Sequence, residues 1–143
     1  MTRRNLSIGG IAISVAYDET FALGEASSRF LISSDSNPDI SLVVKRGTPP
    51  QPRGELVFDS GGVWRLYRDG DDNIFVFRSP VLRSDPYKTA TFDRAFTRGE
   101  VIVSNDVFPG TDPLEYPLDE LLIGVHLGSG SGVELHGVGI VRD

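Results

Sequence analysis

The sequence contains no cysteine, which excludes disulfide scaffolds, thiolate zinc sites, iron–sulfur clusters and cysteine nucleophiles. It has only two histidines, His126 and His136, too few for a histidine-rich metal centre. No apolar run approaches the ~18 residues that span a bilayer. The stretch Asn5 to Tyr17 is interrupted by Ser7, Gly9, Gly10 and Ser14, too polar for a signal-peptide core, so the expected location is the cytoplasm. An excess of positive charge is also missing. The net charge is −6 and the pI 4.8, against the basic footprint that nucleic-acid binding requires. The only lysines, Lys45 and Lys88, do not follow a glycine, so no Gly-x-x-x-x-Gly-Lys-Ser/Thr phosphate loop is present.

What is there is enough for one domain. The 143 residues are 39% hydrophobic, and a chain of ~150 residues buries roughly 70% of its unfolded surface. No repeat or long linker divides residues 1–143, which read as a single β-rich domain. Acidity is concentrated: residues 1–98 carry 13 Lys/Arg against 12 Asp/Glu, residues 99–143 one Arg against 8 acids.

Most segments read as strands. In Ile8 to Tyr17, Ile11, Ile13, Val15 and Tyr17 alternate with small residues, a period of two that predicts one strand. Phe30 to Ile32 and Asp39 to Lys45 follow, and then Gly47, Pro49, Pro50 and Pro52 forbid regular structure. Glu55 to Phe58, Gly62 to Arg68 and Ile74 to Arg78 form a meander, its second turn at Asp69 to Asn73 using positive φ at Gly70 or Asn73. Lys88 to Phe92 and Val101 to Val103 complete the set. Leu118, Leu121, Leu122 and Val125, at i, i+3, i+4 and i+7, predict a helix over about 117–127, with Pro117 opening it and Gly128 closing it. Val133 to Val141 reads as a last strand. The expected fold is α+β and mostly β: an antiparallel or mixed sheet of about six to eight strands with one helix near the C-terminus.

Several constellations resemble chemistry and read better as structure. Gly128 to Gly132 leaves a helix and enters a strand, the reverse of a phosphate cradle. Asp69, Asp71 and Asp72 lack the ordered spacing of an EF-hand loop and suit a solvated hairpin tip. Asp112, Glu115, Asp119 and Glu120 suit the start of a helix. Ser129 and Ser131 lack the strand-to-helix elbow of a hydrolase nucleophile. Trp64, Tyr67, Phe75 and Phe77 are aromatics that either fill the core or line a binding surface.

The stretch Tyr116-Pro117-Leu118-Asp119-Glu120-Leu121-Leu122, followed by Leu127 and by Gly132-Val133-Glu134-Leu135-His136-Gly137-Val138-Gly139-Ile140-Val141, resembles the segment that precedes the nucleotide-binding loop in bacterial HPr serine kinase-like proteins. Pro38 to Leu42, with Gly47 and Pro49, is similar to that family's N-terminal region. The resemblance implies a non-catalytic N-terminal recognition or scaffolding domain, inactive alone. Its phosphoryl-transfer part, with ATP and magnesium, would lie beyond Asp143, so no cofactor or metal is expected in this chain. It further implies that His136 lies near the phosphoryl-transfer site of the larger protein. The expected partner is a protein or peptide, with neither nucleic acid nor membrane, and the C-terminal strand, expected at a sheet edge, could pair two copies into a homo-oligomer. The alternative is a stand-alone β-sheet module for a small molecule, sugar or peptide.

Overall fold

The computed structural model describes residues 1–33 and 37–132. The chain runs β1 (Thr2–Ile8), β2 (Ile11–Tyr17), a short helix α1 (Glu25–Ser28), β3 (Leu31–Ile32), β4 (Ile40–Gly47), β5 (Glu55–Asp59), β6 (Trp64–Asp69), β7 (Asp72–Phe77), β8 (Lys88–Phe92), β9 (Arg98–Ser104) and α2 (Leu118–His126). The strands form one sheet in the order β3-β1-β2-β4-β9-β8-β7-β6-β5. Two neighbouring pairs, β2 with β4 and β4 with β9, are parallel and the rest antiparallel. The architecture is therefore mostly β with a mixed sheet and a C-terminal helix.

Among the described residues the sheet has nine strands rather than six to eight. The reason is the Gly9-Gly10 turn, where φ of 59° and 83° reverses the chain in two residues and pairs Ile8 with Ile11. Such positive-φ turns match the twist of a hairpin, so Thr2–Ile8 forms a strand of its own. Strand β3, expected over Phe30 to Ile32, forms as two residues held against Asn5 and Leu6. The expected strand over 133–141, with His136, lies outside the described residues.

Strands β4 and β5 are consecutive in the chain yet four strands intervene between them. The eight steps from Gly47 to Glu55 span roughly 25 Å if extended, close to the ~24 Å of five strand spacings. Pro49, Pro50 and Pro52 keep this crossing extended over one face of the sheet. Thr89 Oγ1 donates to Pro50 O at 3.1 Å and Gln51 Nε2 to Asp85 O at 2.9 Å, tying it down.

The opposite face carries the core. Val44, Val101, Ala90 and Phe75 form one cross-strand row, and Leu6, Ile13 and Ile40 another; all are buried. Phe75 is the aromatic centre, with ring centroids 5.9–6.4 Å from Trp64, Phe77, Phe92 and Phe96. Gly99 lies between Leu42 and Phe92 in a third row, where a Cβ would come 2.5 Å from the Phe92 ring. Helix α2 covers this face through Leu118, Leu122 and Ile123. Pro117 takes the capping position rather than the first turn, and beyond His126 the backbone continues through one wider turn, Leu127–Ser131, with Gly130 at φ 118°. Among the described residues no helix is long and apolar enough to cross a membrane.

Candidate recognition groove

The segment between β9 and α2 is fixed by polar anchors. Arg46 of β4 donates to the main-chain oxygens of Ser104, Val107 and Phe108 at 2.8–2.9 Å. Asp112 then accepts from the amides of Gly24 and Leu114, each at 2.8 Å. The last anchor is Lys88. Its ammonium, on a side chain 1% exposed, lies 3.5 Å from the Glu115 carboxylate, 3.4 Å from Glu115 O and 4.7 Å from the Phe77 ring centroid. Burial pushes the Lys88 ammonium below its ordinary pKa, and Glu115, with Asp119 and Asp112, opposes that shift. Burial likewise raises Asp119, and it pushes the neighbouring Tyr87 hydroxyl up to about 12.

These anchors place Tyr116 and Pro117 beside the meander. Trp64 pairs with the buried Phe77 and so points toward α2. Between them opens a groove of about 440 Å³, lined by Trp64, Tyr116, Pro117, Leu121, Val125 and, on its rim, Glu120. Phe58 of β5 stacks on the outer side of the Trp64 ring, centroids 5.0 Å apart and planes at 24°. Leu56, Val57 and Phe58 are 45–51% exposed, and Tyr116 66%. The apolar surface is thus continuous from α2 across Trp64 to the outer strand of the sheet. Contiguous exposed apolar surface of this kind marks interaction sites.

The four aromatics expected to fill the core or line a binding surface fall in different places. Trp64 lines the groove. Tyr67 alternates to the other face of β6, half-buried. Phe75 and Phe77 do not line a cleft: they are 1% and 0% exposed, because odd-numbered positions of β7 face the core beneath α2. Sequence reasoning missed Tyr116, Leu121, Val125 and Phe58. The helical spacing of Leu121 and Val125 signalled an apolar stripe, but not that its edge stays open.

The other constellations are structural. Asp69 and Asp71 face Arg53 and Arg94 at 3.8 and 3.5 Å, and among the described residues no cluster of acids or histidines could hold a metal ion. Ser129 Oγ donates to the main-chain oxygen of His126 at 2.7 Å, while the His126 ring contacts Phe96 O at 3.0 Å, so the hydroxyl and the imidazole do not address each other.

The chain matches no protein-family model, no curated protein and no solved structure. The class these observations define is a mostly β domain with an open aromatic groove between its sheet and its C-terminal helix.

Proposed function

We propose that this domain is a non-catalytic recognition module that seats an apolar side chain of an extended protein or peptide segment in the groove between Trp64 and α2. The observation that carries the reading is Trp64 itself: a half-buried tryptophan, braced by Phe58 and Phe75 and open toward α2. Aromatic anchors in such settings dominate binding energy, and a rigid, already formed pocket loses little entropy on binding. The wider role, holding a substrate or regulatory partner for an HPr serine kinase-like enzyme, is supported by the segment from Tyr116 to Val141. In that role ATP and magnesium belong to a separate nucleotide-binding part, and His136 serves that part's chemistry.

The chain has a single tryptophan, so its fluorescence reports on the groove alone. Titration with short peptides centred on Leu or Phe should shift Trp64 emission to shorter wavelength in a saturable way, and Trp64→Ala should abolish binding measured by calorimetry. A flat response across such a series would refute the proposal. The alternative ligand class, a small apolar molecule or sugar, is favoured by the groove's size, about 440 Å³, within the ~300–1,000 Å³ of small-molecule sites. Saturation by a free small ligand with no response to peptides would decide for it.

A further inference from the structure

The groove has a chemical sign. Four acids surround the start of α2, and three are committed: Asp112 to the amides of Gly24 and Leu114, Glu115 to Lys88, and Asp119 to the amide of Glu120. Glu120 is the exception. It is exposed, it lines the groove, and no described residue pairs with its carboxylate. Among the described residues none of the groove's other lining side chains carries a charge, and the surrounding third of the chain is the acidic one. An unpaired carboxylate beside an apolar cleft attracts a cation that arrives with the apolar group, and low-dielectric walls strengthen that field.

The neighbouring edge strand argues against a second copy as the occupant. β5 reads Glu55-Leu56-Val57-Phe58-Asp59, apolar in the middle and acidic at both ends. Antiparallel pairing of two copies centred on Val57 would set Glu55 against Asp59 twice, and like charges directly opposite destabilise a sheet. A bulge between Leu56 and Phe58 also breaks the regular ladder, a device that discourages edge-to-edge addition. Both chains of such a dimer would carry −6.

We infer that the groove's partner is a basic segment of another protein: a short extended peptide with an apolar residue for the Trp64 pocket and a Lys or Arg beside it that meets Glu120. This inference rests on the recognition reading above and names the partner's chemistry.

The test uses three blocked peptides, Lys-Val-Leu-Val-Lys and its counterparts with Gln or Glu in place of both lysines, titrated against the full chain with Trp64 emission as readout. The lysine peptide should bind about fivefold more tightly than the glutamine peptide at low salt, the effect of one favourable surface ion pair. The glutamate peptide should bind more weakly still. The preference should shrink in 0.5 M NaCl, where the screening length is only a few Å, and in Glu120→Gln, a substitution on an exposed helix face that leaves the fold intact. Equal binding of all three peptides overturns the charge assignment and leaves the groove reading standing. No response to any of them overturns both. A concentration-dependent dimer in light scattering, dissociated by the peptides, would make a second copy the occupant and overturn the inference.

Discussion

Lys88 and Glu115 form an ion pair across the sheet–helix interface in which one partner is enclosed and the other is not: the Lys88 side chain is 1% exposed and that of Glu115 33%. The pair joins β8 to the segment that enters α2, and it holds Tyr116 where the groove needs it. Lysine is almost never fully buried without a partner, and here the Phe77 face and the Glu115 carboxylate and carbonyl supply one.

The two halves of the pair should respond differently to mutation. Glu115→Ala leaves an enclosed ammonium without its carboxylate and should cost about 3 kcal/mol in urea denaturation. Lys88→Met removes the enclosed charge, keeps the apolar stem and leaves Glu115 able to reach water, so its cost should stay within about 1 kcal/mol. Equal losses in the two variants would contradict the asymmetry.

Stability should vary with pH in separable windows. Tyr87 has its folded pKa raised from 10.0 to about 12, so the folded state holds a proton that the unfolded state has released, and stability falls as pH rises through that interval. Thermal melts of Tyr87→Phe should show a smaller loss above pH 10 than the parent chain. Lys88 acts with the opposite sign. Its pKa is lowered by burial, so stability rises with pH until the unfolded lysine deprotonates near ~10.4.

Asp119 is an acid whose pKa burial raises above 3.8, so its charged form is disfavoured in the fold and its contribution to stability is lost as pH rises through the folded value. Asp119→Asn should therefore melt at a higher temperature than the parent at pH 7, and the difference should vanish below pH 3.8. A lower melting temperature at pH 7 would show that the carboxylate's attraction to Lys88 outweighs its desolvation.

Core and groove aromatics should separate cleanly. Phe77→Leu should cost about 1 kcal/mol or more through imperfect repacking and leave peptide affinity unchanged in the folded fraction. Trp64→Ala should lower affinity at least tenfold, as expected of an aromatic anchor, in a chain that still unfolds cooperatively. Loss of binding in both variants would mean that the groove is not a distinct site.

Gly99 tests the packing of the row it belongs to. A Cβ there meets the Phe92 ring at 2.5 Å and Leu42 at 3.0 Å. Gly99→Ala should cost about 1–3 kcal/mol by overpacking, measured by chemical denaturation.

Much of this molecule is legible along the chain, because strand and helix periods are local. The alternation in β2 and β4, the Gly70 turn and the stripe of Leu118, Leu121, Leu122 and Val125 each follow from a few neighbouring side chains, as do the absences that exclude thiol chemistry and a phosphate loop. The Gly9-Gly10 turn is equally local: the apolar positions switch from even (Leu6, Ile8) to odd (Ile11, Ile13) across it, as a two-residue hairpin requires. Other features depend on residues far apart in the chain. The parallel contacts of β4 with β2 and β9 decide the strand order, and the proline-rich crossing follows from that order. Phe75 and Phe77 became core, and Trp64 a groove wall, only when α2 settled over one face of the sheet. Lys88 and Glu115 are 27 residues apart, and nothing in either neighbourhood announces the other. Local periodicity determined the elements; burial between distant segments decided which of their faces stayed open.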